Sequence, residues 1–284
     1  MKYGIVMEGG AMRGMFTAGI IDVLLENNIE FDGAIGVSAG AVFGCNLKSK
    51  QIGRSIRYNK NYCRDKRYVS FINWIKTGDL YPPEFCYKEL PDKLDVFDVP
   101  TYRNNKMDFY VVATDVNTGK PVYELCNDGG AKDIQWFRAS ASMPVFANPV
   151  KIDDGLYSDG GTSDSVPLKF MEDKGYDRIL VVTTQPKGYR KKQYKGLSFI
   201  KIFLKKYPML YKAMKERHVM YNETMDYIDS RENDGDVFVI RPQEKLKVKP
   251  AEKNPNELER VYQLGRKAGN DNIEKIKEWL NVQL

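Results

Sequence analysis

The 284-residue chain is 42% hydrophobic and 29% charged, with a net charge of +6, a balance that excludes a disordered or collagen-like chain and allows a sizeable core. No apolar run approaches the ~18 residues of a membrane-spanning helix, and Met1 to Glu8 has no signal-peptide architecture. Four cysteines, Cys45, Cys63, Cys86 and Cys126, lack C-x-x-C spacing, so reduced, buried thiols in a cytoplasmic protein are expected instead of a disulfide framework.

Tyr3 to Met7 predicts a strand ending in a glycine-rich turn, Glu8-Gly9-Gly10-Ala11-Met12-Arg13-Gly14. The helix that follows runs to about Glu26, with Ile20, Ile21, Leu24 and Leu25 on one face. Such a turn gathers backbone N–H groups into an anion site. Read as a dinucleotide fingerprint, it would need glycine at position 11, which is alanine. It would also need an acid at the end of the next strand, where Ser38 stands. An oxyanion site fits better, with Arg13 fixing the loop or offering positive charge.

Phe31 to Gly44 predicts a short buried strand, a tight turn and a helix of small residues. Ser38 lies at the turn within Gly36-x-Ser38-x-Gly40, the pattern of a nucleophile elbow. A side chain at either glycine would collide with a neighbouring element. The helix N-terminus at Ser38 faces its free N–H groups toward any oxyanion formed there. Two consecutive strands lying parallel would bring both glycine turns to one carboxyl edge.

Lys48 to Leu94 is polar, with Arg54, Arg57, Lys60, Arg64, Lys66 and Arg67 among tyrosines. It predicts solvated helices and loops over the sheet, and no nucleic-acid motif accompanies it, so nucleic acid is not an expected partner. Met107–Asp115 and Pro121–Leu125 predict strands, and Ala131–Ser142 a helix stopping before Pro144. Lys151–Ser158 reads as a turn and one short strand leading to Asp159-Gly160-Gly161. A helix over Ser165–Lys174 and strands over Arg178–Thr184 and Asp236–Arg241 complete an alternation that argues for a mostly parallel sheet with helices on both faces.

Beyond Thr184 the pattern is helical. Ile200, Phe203, Leu204 and Tyr207 form one inward stripe, and Pro208 restarts a helix carrying Leu210, Met214, Tyr221 and Ile228. A last helix begins near Asn256. From Lys187 to Arg217 eleven basic residues meet one acid, Glu216. That segment is either a solvated face or one that contacts an anionic membrane.

A serine hydroxyl needs a positioned base. His218 is the sole histidine, and the order Ser38, Asp159, His218 matches that of the α/β-hydrolases. His218 lies in a helical pattern, however, and Ser38 follows only two strands. A carboxylate acting alone is the alternative, with Asp128 and Asp159 each opening an Asp-Gly-Gly. Asp159 is favoured because it ends a strand and is followed by glycines that admit close packing. One histidine and scattered cysteines provide no metal site.

Together these parts resemble the patatin-like phospholipase family of serine acyl hydrolases. The glycine loop (8–14), the G-x-S-x-G (36–40), an A-S-x-x-x-P-type segment at Ala139-Ser140-Ala141-Ser142-Met143-Pro144 and the D-G-G at 159–161 follow in that family's order. The resemblance selects Asp159 over Asp128. It implies a three-layer α/β/α sandwich, with Ser38 as nucleophile, Asp159 as general base, and Gly9, Gly10, Ala11, Arg13 and Gly14 shaping the oxyanion site. Ala11 departs from the third glycine common in the family. An acyl hydrolase core over 1–170 is expected, with 171–284 supplying the remaining strands and a helical extension. The implied substrate is a lipid ester, with no metal or cofactor, and the basic 187–217 segment, where it is not merely solvated, would bring peripheral contact with the inner face of the membrane. An acyltransferase using the same acyl-serine, or a catalytically weak lipid-binding protein, are the rival readings.

Overall fold

In a computed structural model describing residues 1–280, eight strands form one sheet. The strands are β1 (Tyr3–Met7), β2 (Gly33–Val37), β3 (Asp108–Asp115), β4 (Pro121–Leu125), β5 (Val150–Ile152), β6 (Gly155–Asp159), β7 (Arg178–Val182) and β8 (Val237–Ile240). The order is β5-β6-β3-β2-β1-β7-β8, with β4 also paired to β3. Strands β3, β2, β1, β7 and β8 run parallel, while β4, β5 and β6 join antiparallel. Among the described residues the α-helices are α1 (Gly14–Glu26), α2 (Ala39–Lys48), α3 (Arg54–Tyr62), α4 (Phe71–Thr77) and α5 (Val99–Asn104), then α6 (Ala131–Ser140), α7 (Leu168–Asp173), α8 (Leu197–Phe203), α9 (Pro208–Asp234) and α10 (Pro255–Trp279). The last four residues of the expected extension, 281–284, lie outside the described residues.

The period of two along each strand builds the three layers. Ile5, Met7, Phe109, Val111, Leu180 and Val182 face one way, into a core shared with α1, α2, α6 and α10. Val6, Ile35, Val37, Val112, Ile179 and Val181 face the other way, against α7 and α9. Both faces are covered, which is why the parallel strands read as near-continuous apolar runs. The fold is the expected α/β/α sandwich. Among the described residues no helix is long and apolar enough to cross a membrane.

Strand register positions the site. On β3, residues Tyr110 to Val112 pair with both β2 and β4, so those two strands lie on opposite edges. Ala113 and Thr114 pair with both β4 and β6, so β6 shares an edge with β2. β2 ends at Val37 opposite Val112, and β6 arrives with Asp159 opposite Ala113. The residue after β2 is Ser38, so the register alone carries Asp159 to the elbow across 121 positions of sequence.

Five local expectations are corrected. The Lys151–Ser158 stretch is a hairpin of two strands, because Asp153 takes φ 48° and Gly155 admits a tight turn. The 48–94 segment is not merely solvated: Lys48 and Arg54 are buried, Lys48 on the carbonyls of Asn105 and Met107 and Arg54 on that of Asp95. Buried cations are tolerated there because each is hydrogen-bonded. Helix α6 stops at Ser140, and Phe203 on α8 is 47% exposed while Ile200 and Leu204 point inward. The cysteines are free, and Cys86 is only half-buried.

Candidate active site

Ser38 is the N-cap of α2 with φ 54° and ψ −120°, a strained conformation for a residue with a side chain. The bend is held by close packing. A Cβ on Gly36 would lie 2.4 Å from the Gly40 carbonyl oxygen, and one on Gly40 would lie 2.2 Å from that of Met7. Behind the bend, Ser140 at the end of α6 accepts a 2.8 Å hydrogen bond from the Ser38 backbone N–H.

The Ser38 hydroxyl donates to Asp159 Oδ2 at 2.7 Å, and Asp159 Oδ1 accepts from the Gly161 N–H at 2.8 Å. The Asp159 N–H is tied to the Ser142 carbonyl at 2.9 Å, and its carbonyl accepts from Thr114 Oγ1 at 2.8 Å. Burial raises the Asp159 carboxyl above the usual carboxylate range, while Arg217 and then the Ser38 hydroxyl pull it partway back. A buried carboxylate with a raised pKa and one oxygen on a serine hydroxyl is suited to accept that proton.

The glycine loop adjoins the elbow. A Cβ on Gly9 would lie 2.7 Å from the Val37 carbonyl oxygen and 2.9 Å from Ser38 Cβ. The N–H groups of Gly9 and Gly10 donate to no acceptor among the described residues. Ala11 takes φ 48° at the crest of the loop. Gly14 serves packing, since a Cβ there would press on Ala39 and Phe43 of α2 at 2.9 Å. Arg13 reaches back, its Nε 3.4 Å from Thr184 Oγ1.

The other candidates stand elsewhere. His218 lies on α9 with Nδ1 3.1 Å from the Lys215 carbonyl, and Ser38 already has Asp159 as its partner. Asp128 is an exposed turn residue paired with Arg103 at 2.8 Å. Among the described residues no group of His, Cys, Asp and Glu could hold a metal ion.

Glu8 opens the glycine loop without an assigned part, and Arg217 and Lys191 lie outside every motif. Glu8, buried at the end of β1, accepts from the Thr184 N–H and, at 3.0 Å, from the Tyr221 hydroxyl of α9. Arg217, also on α9, donates to the Gly161 carbonyl. The Lys191 ammonium lies 4.0 Å from the Tyr221 ring centroid, and burial beside Arg217 pulls its pKa down to about 7. The basic count of the 187–217 segment marked these residues without separating the inward ones from the solvated ones. An apolar cavity opens on Ser38, walled by Met12, Val42, Phe43, Tyr58, Leu90 and Phe137, with Met143 and Phe146 also lining it.

The model of the family described as "Patatin-like phospholipase" matches residues 5–171, and that of a domain of unknown function (DUF6363) matches 207–281. The chain is similar to the uncharacterized protein YjjU of Escherichia coli, 27% identical over 195 residues that make up 65% of this chain and 52% of that one. It is also similar to lysophospholipase NTE1 of Candida glabrata, 26% identical over 63% of this chain and 10% of that protein. The matched region thus spans about half the length of the first relative and a tenth of the second. VipD from Legionella pneumophila, a crystal structure, overlaps 96% of this chain and 67% of its own at 14% identity and a TM-score of 0.47. With four motifs in order and a family model covering more than half its length, the chain belongs to the patatin-like phospholipase family.

Proposed function

We propose that the protein is a serine lipid acyl hydrolase working through Ser38 and Asp159. The observation that carries this reading is the 2.7 Å hydrogen bond from the strained, elbow-held Ser38 hydroxyl to the buried Asp159 carboxylate. As Ser38 Oγ attacks the ester carbonyl carbon, its proton passes to Asp159 Oδ2. The carbonyl oxygen gains the negative charge and is met by N–H groups of the Gly9–Gly10 loop and the first turn of α2. Collapse breaks the bond to the alcohol, which leaves with the proton from Asp159. Water then adds to the acyl-serine with Asp159 again as base, and the carboxylic acid departs.

The apolar cavity beside Ser38 suits an acyl chain. Family membership and the lysophospholipase relative support an ester of a lipid as the substrate. Peripheral contact with a membrane belongs to the same reading. Phe71, Ile72 and Ile75 of α4 are about two-thirds exposed, and Phe146 at the cavity mouth lies 6.0 Å from Trp74 of α4, ring centroid to ring centroid. Trp74 Nε1 donates to the carbonyl of Val145, whose side chain packs with α8 and α9. Helix α8 adds a second exposed apolar set, Phe199, Ile202 and Phe203, beside Lys201 and Lys205. Exposed apolar side chains mixed with lysines match an anionic bilayer surface.

A fluorophosphonate probe with an alkyl chain tests the assignment. Peptide mapping is expected to find the label on Ser38, and none after Ser38→Ala. A label on another serine with Ser38 unmodified would remove the proposal.

A further inference from the structure

Two cations from separate elements, Arg217 and Lys191, act on Asp159, a third, Arg13, faces Lys191 from the glycine loop, and none of the three lines the apolar cavity. Arg13 comes from the glycine loop, and its Nη2 would lie 3.2 Å from a Cβ on Gly10. Arg217 comes from α9. A Cβ on Gly161 would lie 3.0 Å from Asp159 Oδ1 and 3.2 Å from Arg217 Nη2, so carboxylate and guanidinium border the same small space. Lys191 comes from the loop before α8 and is fixed by its backbone: its N–H donates to Asn222 Oδ1 at 2.8 Å and its carbonyl accepts from Asn222 Nδ2 at 3.0 Å. Its ammonium lies over Tyr221, whose hydroxyl is on Glu8.

Among the described residues none of the three has a carboxylate within 4.0 Å. Arg13 spends one N–H on Thr184, Arg217 one on Gly161, and Lys191 donates none from its ammonium. The acids in the cluster are Glu8 and Asp159, so three positive charges face two negative ones. Holding cations close together beside a dyad is unfavourable unless an anion completes the set. Two guanidinium groups with unused, planar N–H pairs and one ammonium suit the oxygens of a phosphate.

We propose that Arg13, Lys191 and Arg217 form a subsite for a phosphate group, carried on the alcohol side of the ester while the acyl chain enters the apolar cavity. This rests on the acyl-hydrolase reading of Ser38 and Asp159. It makes the start of the 207–281 extension part of the substrate site, since Arg217 and the Tyr221 that carries Lys191 both belong to it. Lys191 also faces Arg217 and Tyr221 from α9, Glu8 from β1, Arg13 from the loop and Asp159 from β6. Burial beside Arg217 pulls the Lys191 ammonium down to about 7, so the share of the preference that Lys191 supplies falls as pH rises through that value.

The test compares 1,2-dihexanoylglycerol 3-phosphate with 1,2-dihexanoylglycerol, both as monomers, and reads the ratio of their kcat/KM values. Wild type is expected to favour the phosphate ester. Lys191→Met and Arg217→Gln should each lower the ratio about 10- to 100-fold, the effect of removing one charge-assisted hydrogen bond, and Arg217→Lys should restore part of it. An equal ratio in wild type and variants would overturn the placement on the ester, and without phosphate protection of the Ser38→Ala protein it would leave the cations as counter-charges to Glu8 and Asp159. Thermal shift on the Ser38→Ala protein separates this from the hydrolase reading. If wild type cleaves neither ester, a rise in Tm with inorganic phosphate or glycerol 3-phosphate that Lys191→Met abolishes still supports the subsite. Protection by inorganic phosphate alone assigns the site to a free phosphate, and a changed kcat/KM ratio assigns it to a lipid head group. No protection and no change in ratio would overturn it.

Discussion

Ala11 carries one methyl group where the backbone favours none. Its φ of 48° is left-handed, which costs a residue with a Cβ about 1–2 kcal/mol. Glycine would remove that cost and lose part of the gain to its freer unfolded state. Ala11→Gly is therefore expected to raise Tm by about 1–3 °C in a chain of this size, measured by calorimetry. A fall would mean that the methyl packs favourably in the loop. This departure was visible in the sequence because the glycine pattern broke there. The part played by Ser140 was not, although the residue lies in the A-S-x-x-x-P segment: its hydroxyl meets the Ser38 N–H across 102 positions, and only the docking of α6 behind β2 creates the contact. Lys191 and Arg217 were hidden for a similar reason. Eleven basic residues in one segment look alike until the fold turns two of them inward, and Lys191 is thus a poor choice for probing membrane contact.

At the scale of elements, α4 buries none of its seven residues. Ser70 caps it by accepting from the Asn73 N–H, and Gly78 closes it at φ 86°, so local chemistry makes the helix and leaves its apolar face outward. Replacing Phe71, Ile72 and Ile75 together with serine should lower the ratio of vesicle turnover to soluble-ester turnover at least about tenfold, since each side chain contributes on the order of 1 kcal/mol or more when it enters the interface. An unchanged ratio on anionic vesicles would place membrane contact elsewhere. Phe203 of α8 is another exposed apolar side chain. Periodicity put it on the inward stripe with Ile200 and Leu204, but a seven-residue helix seats only part of that arc against Val116 and Leu210. The β5–β6 hairpin was likewise read as one strand because Asp153 and Asp154 look like an ordinary polar turn. Its second strand is the one that delivers Asp159.

Over the whole molecule, the alternation of strands and helices carried the three layers, and two period-two apolar sets on one sheet explain why. The division at 170 and 171 has less physical content. β7 pairs with β1 in the middle of the sheet, and α10 lies so close to α1 that a Cβ on Gly265 would sit 2.0 Å from the Phe16 carbonyl oxygen. We propose that core and extension fold as one unit, with the extension completing both the sheet and the surroundings of Asp159. The central claim is that Asp159 alone serves Ser38 as base, and it is tested most directly by kcat/KM for a soluble short-chain ester in Asp159→Asn and His218→Ala. Asp159→Asn keeps the shape of the side chain. Because the folded pKa of Asp159 is raised, its ionised form costs stability as pH rises through that pKa, so at neutral pH this variant should have a Tm no lower than wild type. It should nonetheless lose about 10²- to 10⁴-fold in rate, while His218→Ala stays within a few-fold of wild type. A folded Asp159→Asn protein that retains wild-type turnover, or a folded His218→Ala protein that loses it, would contradict the account.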